Sequence, residues 1–515
     1  MTDRERISMN EQEFEAMLRS SVAELPPEEI VAGVTPWKKA MKRVLAGMAL
    51  CTVTLRFGGL DLSTVFPALG IVLLLLGFRA LCRENKWFQC CFITTIFRTV
   101  SFFFTAILKT TILYSTVLSP QITQVLGMIG LPFLFVEILC FRNGLRAVQK
   151  KAGLPPRAGG ALALLVWYGL VCVLAAIQSS ELLLIMVIML VAYFFILRSL
   201  YLLSKELDEA GYAVQTAFLK IPDRFFACSI ALALVLGCTL GYLFGGSYPM
   251  EWRAVEQSEH REVEEIKTSL LELGFPDYVL NDLTPEDIAA CDGAVQVIVD
   301  VTDEPVNEGR RVSREGKEGE QSYTWFDTVY DVKELRLTGV AVQLPGRRET
   351  WMIFHHFLWT TDPGFYGTES IQLWPTYRNV PEGWAPAGEV TGRILYDRAG
   401  ETLSAPYYFL GAQTFISQSV FWGVQENTDV FAAFSMPAGG EQYRGYVAYP
   451  AAEAQNGYII TSWMNYTHQK SWMQYPAVTA METRMANNRN DAGIFQTVQN
   501  AFQFYATDEG VEIIG

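Results

Sequence analysis

Thr94, Arg98, Ser101, Thr105 and Lys109 recur at steps of four, three, four and four, so a helix through them would carry all five along one face. They fall in an otherwise apolar run, residues 88–112, whose other side is Phe97, Phe103, Phe104 and Ile107. Arg98 stands 11 residues beyond Trp87, which is about 16 Å along a helix axis. A guanidinium that deep in lipid must be paired, hydrated, or drawn back to the cytoplasmic surface on its own stem. The next apolar run supplies Glu137. Its helix would run the opposite way, and side chains lean toward their own helix N-terminus, so Arg98 and Glu137 would lean toward each other. The spacing favours an ion pair that holds two helices together over a pathway for a solute or proton.

The elements that position these residues are apolar stretches. Windows at about 41–60, 62–81, 88–112, 122–141, 160–179, 181–203 and 226–246 each approach the roughly 20 apolar residues a spanning helix needs. Arg56 interrupts the first. Basic residues collect at alternate window ends and connections: Lys38, Lys39, Lys42 and Arg43 about the start of the first window, Arg79, Arg83 and Lys86 about the end of the second, and Arg142, Arg146, Lys150, Lys151 and Arg157 after the fourth. Arg198, Lys205, Lys220 and Arg224 mark the end of the sixth and the connection after it. The intervening connections lack them. Cytoplasmic loops retain Lys and Arg, so the pattern predicts seven spans in a plasma membrane, with the N-terminus inside and residues 247–515 outside. The first 35 residues lack the apolar core of a cleavable signal, and the first span is expected to start insertion.

Ser229, Ala233, Gly237, Gly241 and Gly245 lie four apart along the last window. Small residues at that spacing let helix backbones approach closely in lipid. The stripe predicts helix packing, within the same bundle or as the seam of a homodimer.

Composition changes sharply near Gly245–Gly246. Before residue 247 there are 22 Lys and Arg against 16 Asp and Glu, and afterwards 18 against 38. An acidic exterior half argues against nucleic acid and against adhesion to anionic lipid. Eight of nine cysteines precede the change, so Cys291 has no partner for an internal disulfide, a usage that suits a Gram-positive bacterial surface. The predicted architecture is a transmembrane helical bundle at 41–246 behind a cytoplasmic tail at 1–40. A helical lead-in at 247–292 and an exterior β-rich domain at 293–515 follow. Runs such as Val295–Val301, Glu334–Leu344 and Trp351–Trp359, divided by Gly, Pro and Asn, read as strands of an antiparallel sandwich. Residues 307–321 read as an exposed charged loop. The tail offers Phe14, Met17, Leu18 and Val22 as a helical face for a cytoplasmic partner or the membrane surface.

Catalytic and metal patterns are weak. There is no G-x-S-x-G, P-loop or paired-cysteine motif. His355 and His356 are neighbours on a predicted strand and must face opposite sides, which reads as one core and one surface histidine, not a shared metal site. Asp300, Asp303, Glu304 and Glu308 match no calcium loop. No metal, cofactor or enzyme activity is therefore expected. Binding is better supported. Nine of twelve tryptophans lie in the exterior half, and Trp374, Tyr377 and Trp384 fall in loop-like sequence where aromatic faces would take a sugar or peptide.

The run Val34–Met41 (VTPWKKAM), continuing into Leu73–Arg79 (LLLLGFR) and Arg83–Phe88 (RENKWF), resembles a group of uncharacterised multi-pass membrane proteins of Gram-positive anaerobic bacteria. The likeness covers the apolar half best. It implies a cytoplasmic-membrane location and carries no activity or catalytic residues. The combined expectation is a sensing or regulatory membrane protein whose exterior domain binds an envelope ligand. The alternatives are a small-solute transporter or channel using the Arg98 face, and a structural envelope protein.

Overall fold

The computed structural model describes residues 34–515 apart from 53–55, 58–59, 62–63, 118–119, 178–182, 216–220, 256–260, 306–309, 319–320, 330–333, 346–349, 375–383, 387, 420–422, 454–459, 473, 487–493, 508–509 and 514–515. The tail face at Phe14–Val22 lies outside the described residues. The chain forms two compact units. One runs through Leu108 and resumes over Val117–Cys238; the other joins Lys109–Thr116 to Thr239–Gly515.

The first unit is helical: Trp37–Thr52, Val65–Leu81, Lys86–Leu108, Pro120–Lys151, Gly159–Ile177, Leu183–Glu209 and Asp223–Gly245, the last continuing into the second unit. Two short antiparallel pairs accompany them, β1 (Val34–Pro36) with β4 (Ala213–Gln215) and β2 (Arg56–Phe57) with β3 (Leu60–Asp61). Small residues set the tightest packing. A Cβ on Gly47 would lie 2.7 Å from the Gly70 carbonyl oxygen and 2.9 Å from the Leu74 nitrogen, so the first two helices touch backbone to backbone. Trp37, Met41, Val44, Phe78, Phe88 and Phe141 fill the core around that contact.

Among the described residues three helices are long and apolar enough to cross a membrane: Lys86–Leu108, Ile185–Glu209 and Asp223–Gly245. The expected count of seven is not supported. Val65–Leu81 and Gly159–Leu174 are shorter apolar helices; 17 residues reach about 25 Å, short of a hydrocarbon core of about 30 Å. The helix behind the first window starts at Trp37 and stops at Thr52, so its first two turns carry Lys38, Lys39, Lys42 and Arg43. The fourth window belongs to the long helix Pro120–Lys151, whose side chains at 123–129 lie outside the described residues.

The second unit is an antiparallel β structure. Its strands are β5 (Arg253–Ala254), β6 (Gln296–Pro305), β7 (Arg310–Glu318), β8 (Gln321–Val329), β9 (Glu334–Gln343), β10 (Thr350–Trp359), β11 (Glu369–Trp374), β12 (Trp384–Pro386), β13 (Thr391–Arg398) and β14 (Glu401–Ala405). They continue with β15 (Phe409–Ser419), β16 (Gly423–Phe434), β17 (Glu441–Glu453), β18 (Ile460–Gln469), β19 (Phe495–Thr507) and β20 (Gly510–Ile513). One sheet runs β5-β14-β13-β17-β10-β9-β6, with β12 also on β17; the other runs β15-β16-β11-β18-β19-β20. β7 and β8 pair as a hairpin. The charged stretch expected as a loop at 307–321 is thus largely strand, because Arg310–Glu318 finds a partner in the β-prone Gln321–Val329.

Strand periodicity explains the core. Leu337, Ala341, Ile353 and Phe357 turn inward against Ile371, Val430, Phe434, Tyr466 and Phe502 of the other sheet. The alternate residues Val340, Val342, Met352 and Phe354 pack beneath the lead-in segment, where Val263, Leu270, Phe275, Val279 and Ile288 come from Arg261–Glu272, Asp277–Leu280, Pro285–Ala289 and their connections. β9 and β10 are therefore covered on both faces, which is why they read as nearly continuous apolar runs.

Candidate functional site

The helical unit brings Arg98 and Glu137 together. Arg98 Nη1 lies 3.4 Å from Glu137 Oε2, and Nη2 reaches Cys51 Sγ at 3.6 Å. Thr95 adds a hydroxyl 3.5 Å from Glu137 Oε1. Beside the pair is a cavity of about 30 Å³ bounded by Cys51, Arg98, Glu137 and Tyr168 among apolar side chains. That is room for one water.

The rest of the expected polar face does not converge there. Thr94 folds its hydroxyl back to the carbonyls of Cys90 and Cys91, Thr105 does the same to Ser101, and Ser101 itself is exposed. Lys109 follows the end of the helix, with its ammonium 5.7 Å from the centre of the Tyr114 ring. The buried stripe is instead Phe88, Cys91, Thr95, Thr99 and Ala106. Thr95 and Cys51 were missed as partners of the pair. Thr95 differs from Thr94 by one helical step, and local spacing alone does not tell which of them turns toward Glu137.

The small-residue stripe splits as well. Ser229 and Ala233 are exposed and no residue of the Asp223–Gly245 helix is buried. Close approach occurs farther along: a Cβ on Gly237 would meet the tip of the Ile107 side chain and lie 2.9 Å from its Cγ1, and one on Gly245 would lie 2.8 Å from Thr111 Cβ. Gly241 between them is half-buried.

Of the aromatic binding candidates, Trp374 ends β11 opposite Trp463, and Trp384 opens β12. Tyr377 and the side chains of Trp374 and Trp384 lie outside the described residues.

A larger cavity, about 110 Å³, lies within the second unit where the two apolar helices end. Thr110 and Ile112 follow the Lys86–Leu108 helix; Tyr242, Leu243 and Ser247 come from the end of Asp223–Gly245 and the residues after it. Phe365, Tyr366 and Gly367 precede β11, and Gln469, Trp472 and Gln474 follow from the end of β18. Hydrogen bonds fix these pieces. Ala477 donates its N–H to the Lys109 carbonyl at 2.7 Å and Ile112 donates to the Gly245 carbonyl at 2.8 Å. The Tyr242 hydroxyl donates to the Gln474 carbonyl. Gln469 Oε1 accepts from both the N–H and the hydroxyl of Thr368 at 2.9 Å. Trp472 stands edge-on to Tyr242 with ring centres 5.7 Å apart.

Three buried histidines of the β unit, none of them lining this cavity, pair with other side chains. His355 and His356 do face opposite ways, but both are fully buried, which corrects the expectation that one is at the surface. His355 Nε2 meets Ser462 Oγ at 2.6 Å between the sheets, and burial pushes its pKa down to about 3. His356 Nε2 meets Asp282 Oδ2 at 2.8 Å beneath the lead-in helices. Arg444 Nε reaches the other oxygen of Asp282, also at 2.8 Å. Burial opposes ionisation of Asp282, yet the hydrogen bond and charge of His356, with those of Arg444, hold it below the usual carboxylate range. His468 Nδ1 lies 2.7 Å from Glu369 Oε1, both buried. The serine–histidine contact resembles a nucleophile and its base, but it is closed to any substrate.

No family model matches the chain, and neither a curated protein nor a solved structure matches it.

Proposed function

We propose that the chain is an integral plasma-membrane protein of the sensing or regulatory type, with its N-terminus in the cytoplasm and its β unit outside. A ligand or partner engages the β unit, and the response passes to the apolar helices. One observation carries the reading: the residues at the ends of two apolar helices belong to the compact β unit and are hydrogen-bonded to its loops, Lys109 to Ala477 and Tyr242 to Gln474. A change of conformation at 474–478 therefore acts on both helix ends at once. Movement at one end of a helix is transmitted along its hydrogen-bonded length.

Two measurements test this on the full chain, the first in intact cells and the second in liposomes. Cysteine placed at exposed Ile416 should react with an impermeant maleimide from outside intact cells; protection would reverse the orientation. Spin labels on Phe104→Cys and Leu236→Cys, both in the helical unit, should report a changed interhelix distance when Ala477→Pro removes the N–H bound to Lys109. An unchanged distance in a folded variant would remove the relay.

The transport reading has one supporting observation, the small cavity beside Arg98 and Glu137. It requires Ser101→Cys and Thr105→Cys to react with aqueous thiol reagents, and uniform protection would dismiss it.

A further inference from the structure

We infer that the 110 Å³ cavity at the helix ends is a binding site for an uncharged hydroxylated group, such as a glycerol moiety or one edge of a sugar ring. The site stands on geometry within the β unit and goes beyond the relay proposed above. The volume corresponds to three or four waters at about 30 Å³ each, so it exceeds what one bridging water needs.

Its chemistry selects against charge. Among the described residues that line it, none is acidic or basic. An ionised group entering would shed water without gaining a counter-charge, which is strongly unfavourable. The same lining suits a polyol. Tyr242, Phe365, Tyr366 and Trp472 provide ring surfaces for its C–H groups. Ser247 and Gln474 provide a hydroxyl and an amide for its O–H groups. Gln474 Nε2 is already held by the Val478 carbonyl at 2.8 Å, which fixes the amide and leaves Oε1 to accept from a ligand hydroxyl. Gln469 is committed to Thr368 and to the Ser471 carbonyl, so it forms a rigid wall. The site is organised before the ligand arrives, which lowers the ordering cost of binding.

Position determines how such a group arrives. Leu243 is 70% exposed, Phe244 81% and Trp472 58%, an apolar rim at the end of a helix long enough to span a membrane. Tryptophans such as Trp472 collect at membrane–water interfaces. The hydroxylated group then comes either free from water or on the headgroup of a neutral lipid.

The test uses the full chain in phosphatidylcholine nanodiscs. Methyl glucoside and glycerol are added as free probes, read by saturation-transfer NMR. Monoglucosyldiacylglycerol is mixed into the disc and its retention read by native mass spectrometry, with glycerol 1-phosphate as the charged counterpart of glycerol. At least one uncharged probe should bind. Trp472→Ala and Ser247→Leu, both at exposed positions, should each weaken binding about tenfold. Binding of a free probe assigns a soluble source, and retention of the glycolipid alone assigns a lipid source. The inference is overturned if no uncharged probe binds, if both variants bind as the parent does, or if glycerol 1-phosphate binds more tightly than glycerol. None of those results bears on the interhelix distance that tests the relay.

Discussion

Arg98 Nη1 lies 3.4 Å from Glu137 Oε2, joining two helices at residues 39 apart in the chain. Glu137 is buried, and Arg98 keeps a third of its side chain uncovered. Removing one partner strands the other in an apolar surrounding, whereas replacing both by well-fitting apolar groups does not. Glu137→Ala is expected to destabilise the helical unit by about 3 kcal/mol. The double variant Arg98→Met with Glu137→Leu should lose less than either single change. Denaturant unfolding in detergent, arranged as a double-mutant cycle, measures this; simple additivity would mean that the two charges do not interact.

That pair was legible in the sequence because charged side chains are rare inside apolar runs and stand out. Its surroundings were not. Thr94 and Thr95 are chemically identical, and which one faces Glu137 depends on helix rotation, which is set by packing against neighbours at Cys51 and Phe141. Strand alternation similarly gave opposite faces to His355 and His356, but not the lead-in helices that cover the second face. The count of spans failed on length: hydropathy windows do not see that the Val65–Leu81 helix stops after 17 residues. The cavity at the helix ends was invisible, since it is assembled from ordinary residues of four separate stretches, among them Thr110, Tyr242, Phe365 and Gln474.

Asp282 ties the lead-in segment to the sheet. Its carboxylate accepts from Arg444 and meets His356, while its backbone carbonyl accepts from Arg393 Nε at 2.9 Å. Asp282→Ala leaves the Arg444 charge with one fewer partner and His356 without one, and should cost the β unit about 3 kcal/mol. Asp282→Asn keeps the shape and a hydrogen-bonding oxygen and should cost visibly less. Urea unfolding followed by tryptophan fluorescence compares them, and equal losses would assign the effect to packing alone.

Thr479 caps the short helix Ala480–Met485 reciprocally with Glu482. Its hydroxyl accepts from the Glu482 N–H at 3.2 Å, and its own N–H donates to Glu482 Oε2 at 2.8 Å. Thr479→Ala should cost about 1 kcal/mol. The loss should be local, because Ala477 and Val478, immediately before the cap, help to enclose the cavity. Hydrogen exchange should quicken across 474–485 while β9 and β10 remain protected. Uniform quickening would show that the cap supports the whole unit.

His355 makes the β unit sensitive to acid. Folded, its pKa is pushed down to about 3 by burial between the sheets; unfolded, it returns to about 6.5. Between those values the unfolded chain takes up a proton that the folded chain refuses, so stability falls as pH falls, by at most about 1.4 kcal/mol per pH unit. Asp282 acts in the same sense at lower pH. The stability from its lowered pKa is present above the unfolded value and is lost as pH drops through the folded one. Glu369 acts oppositely, because burial pushes its carboxyl up and folding then favours the protonated form. His355→Gln, placed to keep a hydrogen bond to Ser462, removes only the first contribution. Unfolding free energy measured from pH 7 to pH 4 should therefore decline less steeply in this variant than in the parent, with the two curves converging toward low pH. Parallel curves would mean that His355 takes up its proton without leaving the folded core.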